Sequence, residues 1–379
     1  MTQDEMKNLK KIDLHCHLDG SLSEETIQKM AQNNGILLPE REELFQRLCA
    51  GDDCQDLKEY LDCFEIPLSL LQTEENLEEA VRSLLKDAAK ENTLYMEIRF
   101  APLSSVSGGL SCEQVIAAAV NGLKKGRKET GVEGNLILCA MRHTDPAENL
   151  EILKAGEKFL GDGVCGVDAA GNEAAFPITV QKAFFEEAKY QGFPFTIHAG
   201  ECGSAESIRD ALALGASRIG HGIAARKDPE LIKELRERQI PLEMCPISNL
   251  QTKAAKSAAE YPFREFLDAG LYVTINTDNR MVSGTSMIRE LSWLSKEFQL
   301  TKEEAEGLMR NAAKAAFSFA AKALEIPEDE LSDKIVPTLG FNKEGEKILD
   351  YGPRNFTITL MPDFSLSIFD NEKQKAIKS

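Results

Sequence analysis

The chain has 379 residues, 42% of them hydrophobic and 28% charged, so it can bury a large core and is not intrinsically disordered. Its net charge of −18 excludes a general role on nucleic acid or anionic lipid and favours a neutral or cationic small molecule as partner. Nine cysteines without a repeating spacing, no apolar run of about 18 residues, and an N-terminus lacking an apolar signal core predict a cytoplasmic protein with free thiols.

Eight short β-rich runs bounded by Gly, Pro or Asn follow in order: KIDLH near residue 11, LYMEIRF at 94, NLILCAM at 135, GVCGVD at 163, FPFTIH at 193, SRIG at 217, IPLEMC at 240 and LYVTIN at 271. Segments of helical periodicity separate most of them, among them LEEAVRSLLKDAAKEN, CEQVIAAAVNGLKKGRKETG, TVQKAFFEEAKYQG, AESIRDALALG, DPELIKELRERQ and YPFREFLDAG, and several stop at a glycine. Apolar strands alternating with amphipathic helices predict an α/β fold with a parallel sheet. The count of eight predicts a closed (β/α)8 TIM barrel. An open doubly wound sheet is the alternative, but no G-x-G-x-x-G follows the first strand.

Residues 18 to 93, between the first two strands, are expected to carry additional helices. One of these, DLKEYLDCFEIPLSLL, spaces Leu57, Tyr60, Leu61 and Phe64 as one apolar face. Such a face is core packing or, on the active side of a barrel, a hydrophobic lid. After about residue 350, FTITLMPDFSLSIF predicts a two-stranded hairpin around a Pro-Asp turn, outside the barrel. No internal repeat or linker interrupts the sequence, so residues 1–379 are expected to form one elaborated barrel domain.

Only five histidines occur, and four of them end strands: His15 and His17 the first, His198 the fifth and His221 the sixth, while His143 follows the third. Catalytic groups of (β/α)8 enzymes gather at the C-terminal ends of the strands. Side chains alternate along a strand, so the two imidazoles of H-x-H face the same way. With His198 as a third nitrogen and Asp278 of INTDN as a carboxylate beside strand one, the set suits Zn²⁺, and iron or manganese fits the same donors. A water added to four protein ligands would make the ion five-coordinate. Glu201 follows His198 at i+3, and Gly200 lets the backbone turn so that a carboxyl group sits beside the metal, placed to protonate a substrate nitrogen. The plainer alternative for Glu201 is a solvated loop charge. His221, flanked by glycines, is either a further metal nitrogen or, the reading we favour, a neighbour that with Asp278 orients the attacking water and takes its proton. GVDAAGNE at the fourth strand lacks the lysine that bridges two ions in many hydrolases of this architecture, so a single metal is the simpler arrangement.

The segments KIDLHCHLDGSL, HAGE, RIGHG, CPISN and NTDN, in order from Lys11 to about Arg289, resemble the adenosine deaminases of the amidohydrolase superfamily, and EIRFAPL, CAMRH and VDAAGNE support the likeness. The resemblance implies one zinc per subunit held by His15, His17, His198 and Asp278, with Glu201 protonating purine N1 and His221 positioning the attacking water. It implies hydrolytic deamination of adenosine and 2′-deoxyadenosine to inosine and deoxyinosine with release of ammonia, in purine salvage. It further implies His17 and Asp19 on the substrate, Asp19 at the ribose hydroxyls, the Gly171 backbone at the purine ring, and Leu57, Tyr60, Leu61 and Phe64 as a helix over the pocket.

One departure from the family pattern bears on substrate choice. Many members carry two successive aspartates at strand eight, where this chain has Asp278 followed by Asn279, and RMVSGTSM departs from the usual continuation. An aspartate must be protonated to bond purine N7, whereas Asn279 donates through its amide without that requirement. Base recognition is expected to survive, with a changed pH dependence or substrate preference. Adenine, N6-methyl-AMP and aminodeoxyfutalosine would use the same chemistry, although Asp19 would repel a phosphate. A non-catalytic nucleoside-binding protein would have lost a ligand or the acid, and neither is missing. The expected partner is a small-molecule purine nucleoside, not nucleic acid or membrane, with the choice of monomer or homo-oligomer open.

Overall fold

The computed structural model describes residues 1–51, 54 and 57–317, with residues 57 and 58 given as backbone alone, and the backbone of five strand segments further on. All eight expected strands are present: β1 (Lys11–His17), β2 (Thr93–Phe100), β3 (Glu133–Met141), β4 (Val164–Ala170), β5 (Thr196–Ala199), β6 (Arg218–His221), β7 (Leu242–Met244) and β8 (Val273–Ile275). They pair in parallel as two halves, β1-β2-β3-β4 and β5-β6-β7-β8.

Both seams between the halves are closed by backbone hydrogen bonds. Between β4 and β5 the Val167 N–H donates to the Pro194 carbonyl at 3.0 Å. Between the end of β8 and β1, His17 N–H donates to the Asp278 carbonyl and Asp278 N–H to the His15 carbonyl, each at 2.7 Å. β8 is only three residues long, and side chains complete its seam. Asn276 Oδ1 accepts from Leu14 N–H at 2.9 Å, and Thr277 Oγ1 donates to Asp13 at 2.5 Å. The sheet is therefore the closed barrel expected from the strand count.

The helices between strands form where the apolar spacing places them, including Glu74–Ala89, Cys112–Thr130, Lys182–Gln191, Ala205–Leu214, Pro229–Glu237 and Phe263–Asp268. Cys112–Thr130, Lys182–Gln191 and Ala205–Leu214 end on Gly131, Gly192 and Gly215 in the left-handed conformation, which relieves the terminal carbonyls at no Cβ cost. Each helix turns an apolar stripe to the strands. Phe184 and Phe185 are fully buried, and such burial contributes about 1.5–3 kcal/mol per side chain.

The connection from β1 to β2 holds helices Glu24–Asn33, Arg41–Leu48, Leu57–Asp62, Glu65–Leu70 and Glu74–Ala89. The run expected as one helix from residue 57 breaks at Cys63–Phe64. Pro67 explains the break, because it has no N–H to donate to the Cys63 carbonyl and its ring crowds that oxygen. Beyond the barrel, β11 (Phe356–Leu360) pairs antiparallel with β12 (Leu366–Asp370), as the alternation in FTITLMPDFSLSIF predicts. Pro362 and Asp363 of the expected turn lie outside the described residues. Three further strands have too little alternation to be read from sequence: β9 (Thr338–Phe341) and β10 (Lys347–Asp350), which pair with each other, and β13 (Lys375–Lys378), which pairs with β12.

The barrel interior carries ions as well as apolar side chains. Arg218 donates to Glu243 through Nε at 2.6 Å, reaches Glu97 through Nη2 at 2.6 Å, and stacks on the Phe317 ring, its guanidinium carbon 3.6 Å from the centroid. Tyr95 donates to Glu97 at 3.0 Å and accepts from Asn135 at 3.1 Å. Apart from the half-buried Phe317 ring these groups are buried, so each charge depends on its partners. Arg218→Met is expected to lower the unfolding free energy by about 3–5 kcal/mol by leaving Glu97 without its cationic partner, while Glu243 keeps Arg99, read as a fall in the urea midpoint. Glu290 gives a second stability prediction. It accepts from Ile247 N–H at 3.2 Å and Thr285 Oγ1 at 2.7 Å, tying the segment after β7 to that after β8. Burial pushes its carboxyl up to about 8, and Asp13 adds to the effect. The folded chain thus keeps a proton that the unfolded chain has lost from about pH 4.5 upward, and this contribution to stability falls as pH rises toward 8. Glu290→Gln is expected to gain on the wild type across that window, by about 2–4 kcal/mol at the alkaline end, in urea titrations at pH 5 and pH 8.5.

Candidate active site

The strand ends bring the sequence-selected residues to one buried place at the mouth of the barrel. His15, His17, His198 and Asp278 each present one ligand-type atom, all within 4.8 Å of one another. His17 Nε2 lies 3.1 Å from His198 Nε2, and Asp278 Oδ1 lies 3.5 Å from His15 Nε2 and 3.4 Å from His17 Nε2. His15 Nε2 is buried and has no hydrogen-bond partner.

Carboxylates behind the cluster hold two of the rings. His15 Nδ1 meets Glu243 at 2.9 Å, and His198 Nδ1 meets Asp168 at 2.9 Å. An N–H on each Nδ1 leaves the opposite nitrogen as a lone pair facing the cluster, the usual way a carboxylate orients a metal-binding histidine. Burial holds His17 well below the ordinary histidine range, so its ring is also neutral. Three imidazoles and a carboxylate thus converge, with an orphaned nitrogen among them, a donor set that fits a metal ion.

Glu201 and His221 stand beside this cluster. Glu201 Oε2 is 3.6 Å from His221 Nε2, and Thr252 Oγ1 donates to Glu201 Oε1 at 3.0 Å. The Asn249 amide donates to His221 Nδ1 at 3.0 Å, which leaves Nε2 as the N–H nitrogen on the Glu201 side. Ser248 donates to Asp278 Oδ2 at 2.5 Å. His221 and Asp278 both have positive φ, +62° and +58°, an uncommon conformation for residues other than glycine. Gly200 also turns with φ +71°, as its place between His198 and Glu201 suggests.

The remaining residues are spread around the mouth. Asp19 follows β1, and its Oδ1 is buried without a partner. Asn279 packs against Gly20 so closely that any Cβ at Gly20 would collide with the amide, and its Oδ1 is also unpartnered. Gly171 follows β4 with φ +106°. Tyr60 is buried, and its hydroxyl bonds Ser283 Oγ at 2.8 Å. Phe64 packs beside Tyr60, whereas Leu61 is 42% exposed and does not join them. The side chain of Leu57 lies outside the described residues. His143 stands apart from the other histidines, against Phe176 and beside a surface cleft of about 460 Å³.

Reasoning from sequence did not single out Asp168, Glu243, Arg99, Ser248, Asn249 or Thr252. For Arg99, Asp168 and Glu243 a signal was present, since each is a charge inside a strand that otherwise reads as apolar.

The comparisons with known proteins agree with this geometry. Residues 10–333 match the family model for adenosine deaminase. The adenosine deaminase of Enterococcus faecalis is 42% identical over 318 residues, covering 84% of this chain and 94% of the relative. That of Clostridium botulinum (strain Okra) is 45% identical over 319 residues, covering 82% and 94%. Among solved structures, the adenine deaminase of Arthrobacter aurescens superposes with a TM-score of 0.78 at 28% identity, covering 85% of this chain and 98% of that one. On the extent of these matches, the chain belongs to the adenosine deaminase family and is a hydrolytic deaminase of small-molecule purines.

Proposed function

We propose that the chain is a zinc-dependent hydrolase that converts adenosine and 2′-deoxyadenosine to inosine and deoxyinosine with release of ammonia. The observation that carries this reading is the convergence of His15, His17, His198 and Asp278 on one point, with the Glu201–His221 pair alongside. A set of three nitrogens and one oxygen suits zinc, with one ion per chain. When bound, zinc supplies Lewis-acid activation of the attacking water.

The chain's own groups divide the remaining work. Glu201, oriented by Thr252, donates a proton to purine N1 and so makes C6 electrophilic. His221 and Asp278 flank the position of the water, with His221 set by Asn249 and Asp278 by Ser248. Asp278 takes the proton that the water loses and passes it to the departing amine, the Glu201 proton stays on N1, and His221, which carries its N–H on Nε2, orients the water. Asn279 donates its amide to N7, and the Gly171 backbone meets the ring. Tyr60 and Phe64 cover the base and exclude water.

Asp19 favours a nucleoside over a free base. Its buried Oδ1 lacks a donor among the described residues, and ribose hydroxyls would supply one. Its charge also disfavours a 5′-phosphate. We further infer that residues 1–379 work as one elaborated barrel, in cytoplasmic purine salvage. The nine free cysteines agree with a reducing compartment, and no helix among the described residues is long and apolar enough to cross a membrane.

Two measurements test the assignments. Glu201→Gln is expected to lower kcat on adenosine by about 10²–10⁴-fold while elemental analysis finds the zinc content unchanged; wild-type kcat in this variant would remove Glu201 from the chemistry. Asp19→Ala is expected to cut kcat/KM on adenosine by about 10- to 100-fold and to leave turnover of adenine where it was. An equal loss on both substrates would place Asp19 away from the ribose.

A further inference from the structure

The loop that carries Glu201 is held from below by a single carboxylate. Glu173, on the segment after β4, accepts four consecutive backbone N–H groups: Gly200 on Oε1 at 2.6 Å, and Glu201, Cys202 and Gly203 on Oε2 at 3.1, 3.1 and 2.9 Å. Consecutive amides turned toward one anion form a concave nest, and a charged acceptor makes each bond stronger than a neutral one would. Glu173 is buried. Removing it would leave the amides of this partly buried loop without their carboxylate acceptor.

The surroundings are shaped for this contact. A Cβ on Gly203 would lie 2.6 Å from Glu173 Cδ and 2.7 Å from Oε1, so only glycine there lets the carboxylate in. Gly200 takes the positive φ that turns its N–H into the nest. The Glu173 segment is itself anchored, because Arg142 donates to the Phe176 carbonyl at 2.8 Å and to the His198 carbonyl at 2.5 Å. Glu173 is not a member of the histidine cluster, and its four bonds here go to backbone N–H groups.

We propose that Glu173 is a positioning residue for deamination: it fixes the backbone of residues 200–203 so that the Glu201 carboxyl faces the site, and its loss falls on the step that Glu201 performs. This rests on the general-acid reading of Glu201 given above. Gln at 173 tests the point with little change in shape, because it turns one acceptor oxygen into an NH₂ group facing backbone N–H groups.

The experiment is a double-mutant cycle on zinc-loaded full-length protein with adenosine, comparing wild type, Glu173→Gln, Glu201→Gln and the double variant, with zinc content and melting temperature recorded for each. Glu173→Gln is expected to lower kcat by about 10- to 100-fold with KM within about 3-fold of wild type. In the Glu201→Gln background the same substitution is expected to cost less than about 2-fold, since the group it positions is already gone. Wild-type kcat in Glu173→Gln, or the same loss in both backgrounds, would overturn the proposal. If Glu201→Gln is itself fully active, the acid reading fails and takes this inference with it; if Glu201→Gln is impaired and Glu173→Gln is not, only this inference fails. Should Glu173→Gln not retain zinc, Glu173→Asp and Gly203→Ala carry the test. A reduced kcat at constant KM in both supports the proposal, and wild-type kcat in both overturns it.

Discussion

Arg99 lies between two carboxylates that each hold a histidine, and the geometry of the site depends on that arrangement. Its guanidinium meets Asp168 at 2.6 Å and Glu243 at 2.9 Å, and it donates to the Leu14 carbonyl at 2.6 Å. Burial would raise both acids. Arg99 beside them, joined by His198 at Asp168 and by Arg218 at Glu243, holds them in the charged form. Charged acids accept the Nδ1 protons of His198 and His15, so the opposite nitrogens face the cluster as lone pairs. The barrel supplies this chain of contacts from β2, β4, β5, β7 and β1, which is why the donor set needs a closed sheet and not merely the right residue types. Buried ion pairs of this kind contribute little net stability but leave a large penalty when one member is lost, so the arrangement is rigid in the sense that matters for a metal-binding site.

The rest of the mouth is built from backbone geometry that the frame permits. His221 and Asp278 occupy the left-handed region, which costs non-glycine residues of order 1 kcal/mol each and persists where surrounding contacts over-determine it. Asn249 and Ser248, adjacent on the short helix Pro246–Gln251, supply those contacts to His221 and Asp278 respectively. The insertion between β1 and β2 reaches the same region through the Tyr60 hydroxyl on Ser283, so the helix Leu57–Asp62 and the loop after β8 are joined by a polar contact as well as by apolar packing.

The strands, the main helices and the cluster of His15, His17, His198 and Asp278 were legible in the sequence for a physical reason. Parallel barrel strands are buried on both faces and read as apolar runs, and chemistry in this architecture collects at their ends. The five histidines made the ends easy to see. Less visible was whatever depends on which side chains meet across the barrel. Glu243 in IPLEMC and Arg218 in SRIG are single charges in apolar strands, and it is the adjacency of β6 and β7 that pairs them. Glu173 belongs to a quoted motif, yet its four backbone partners come from the loop after β5. The spacing of residues 57–64 suggests one continuous apolar face, but the helix ends at Asp62 and Leu61 points toward solvent.

The central claim, that a zinc held by three histidines and Asp278 serves hydrolytic deamination of adenosine, is tested most directly by measuring inosine and ammonia formation from adenosine and zinc content on one purified sample, before and after chelation and zinc return. The account predicts one zinc per chain, one ammonia per inosine, loss of turnover when zinc is stripped, and recovery when it is restored. Adenosine left untouched by zinc-replete protein, or turnover that persists in zinc-free protein, would contradict it.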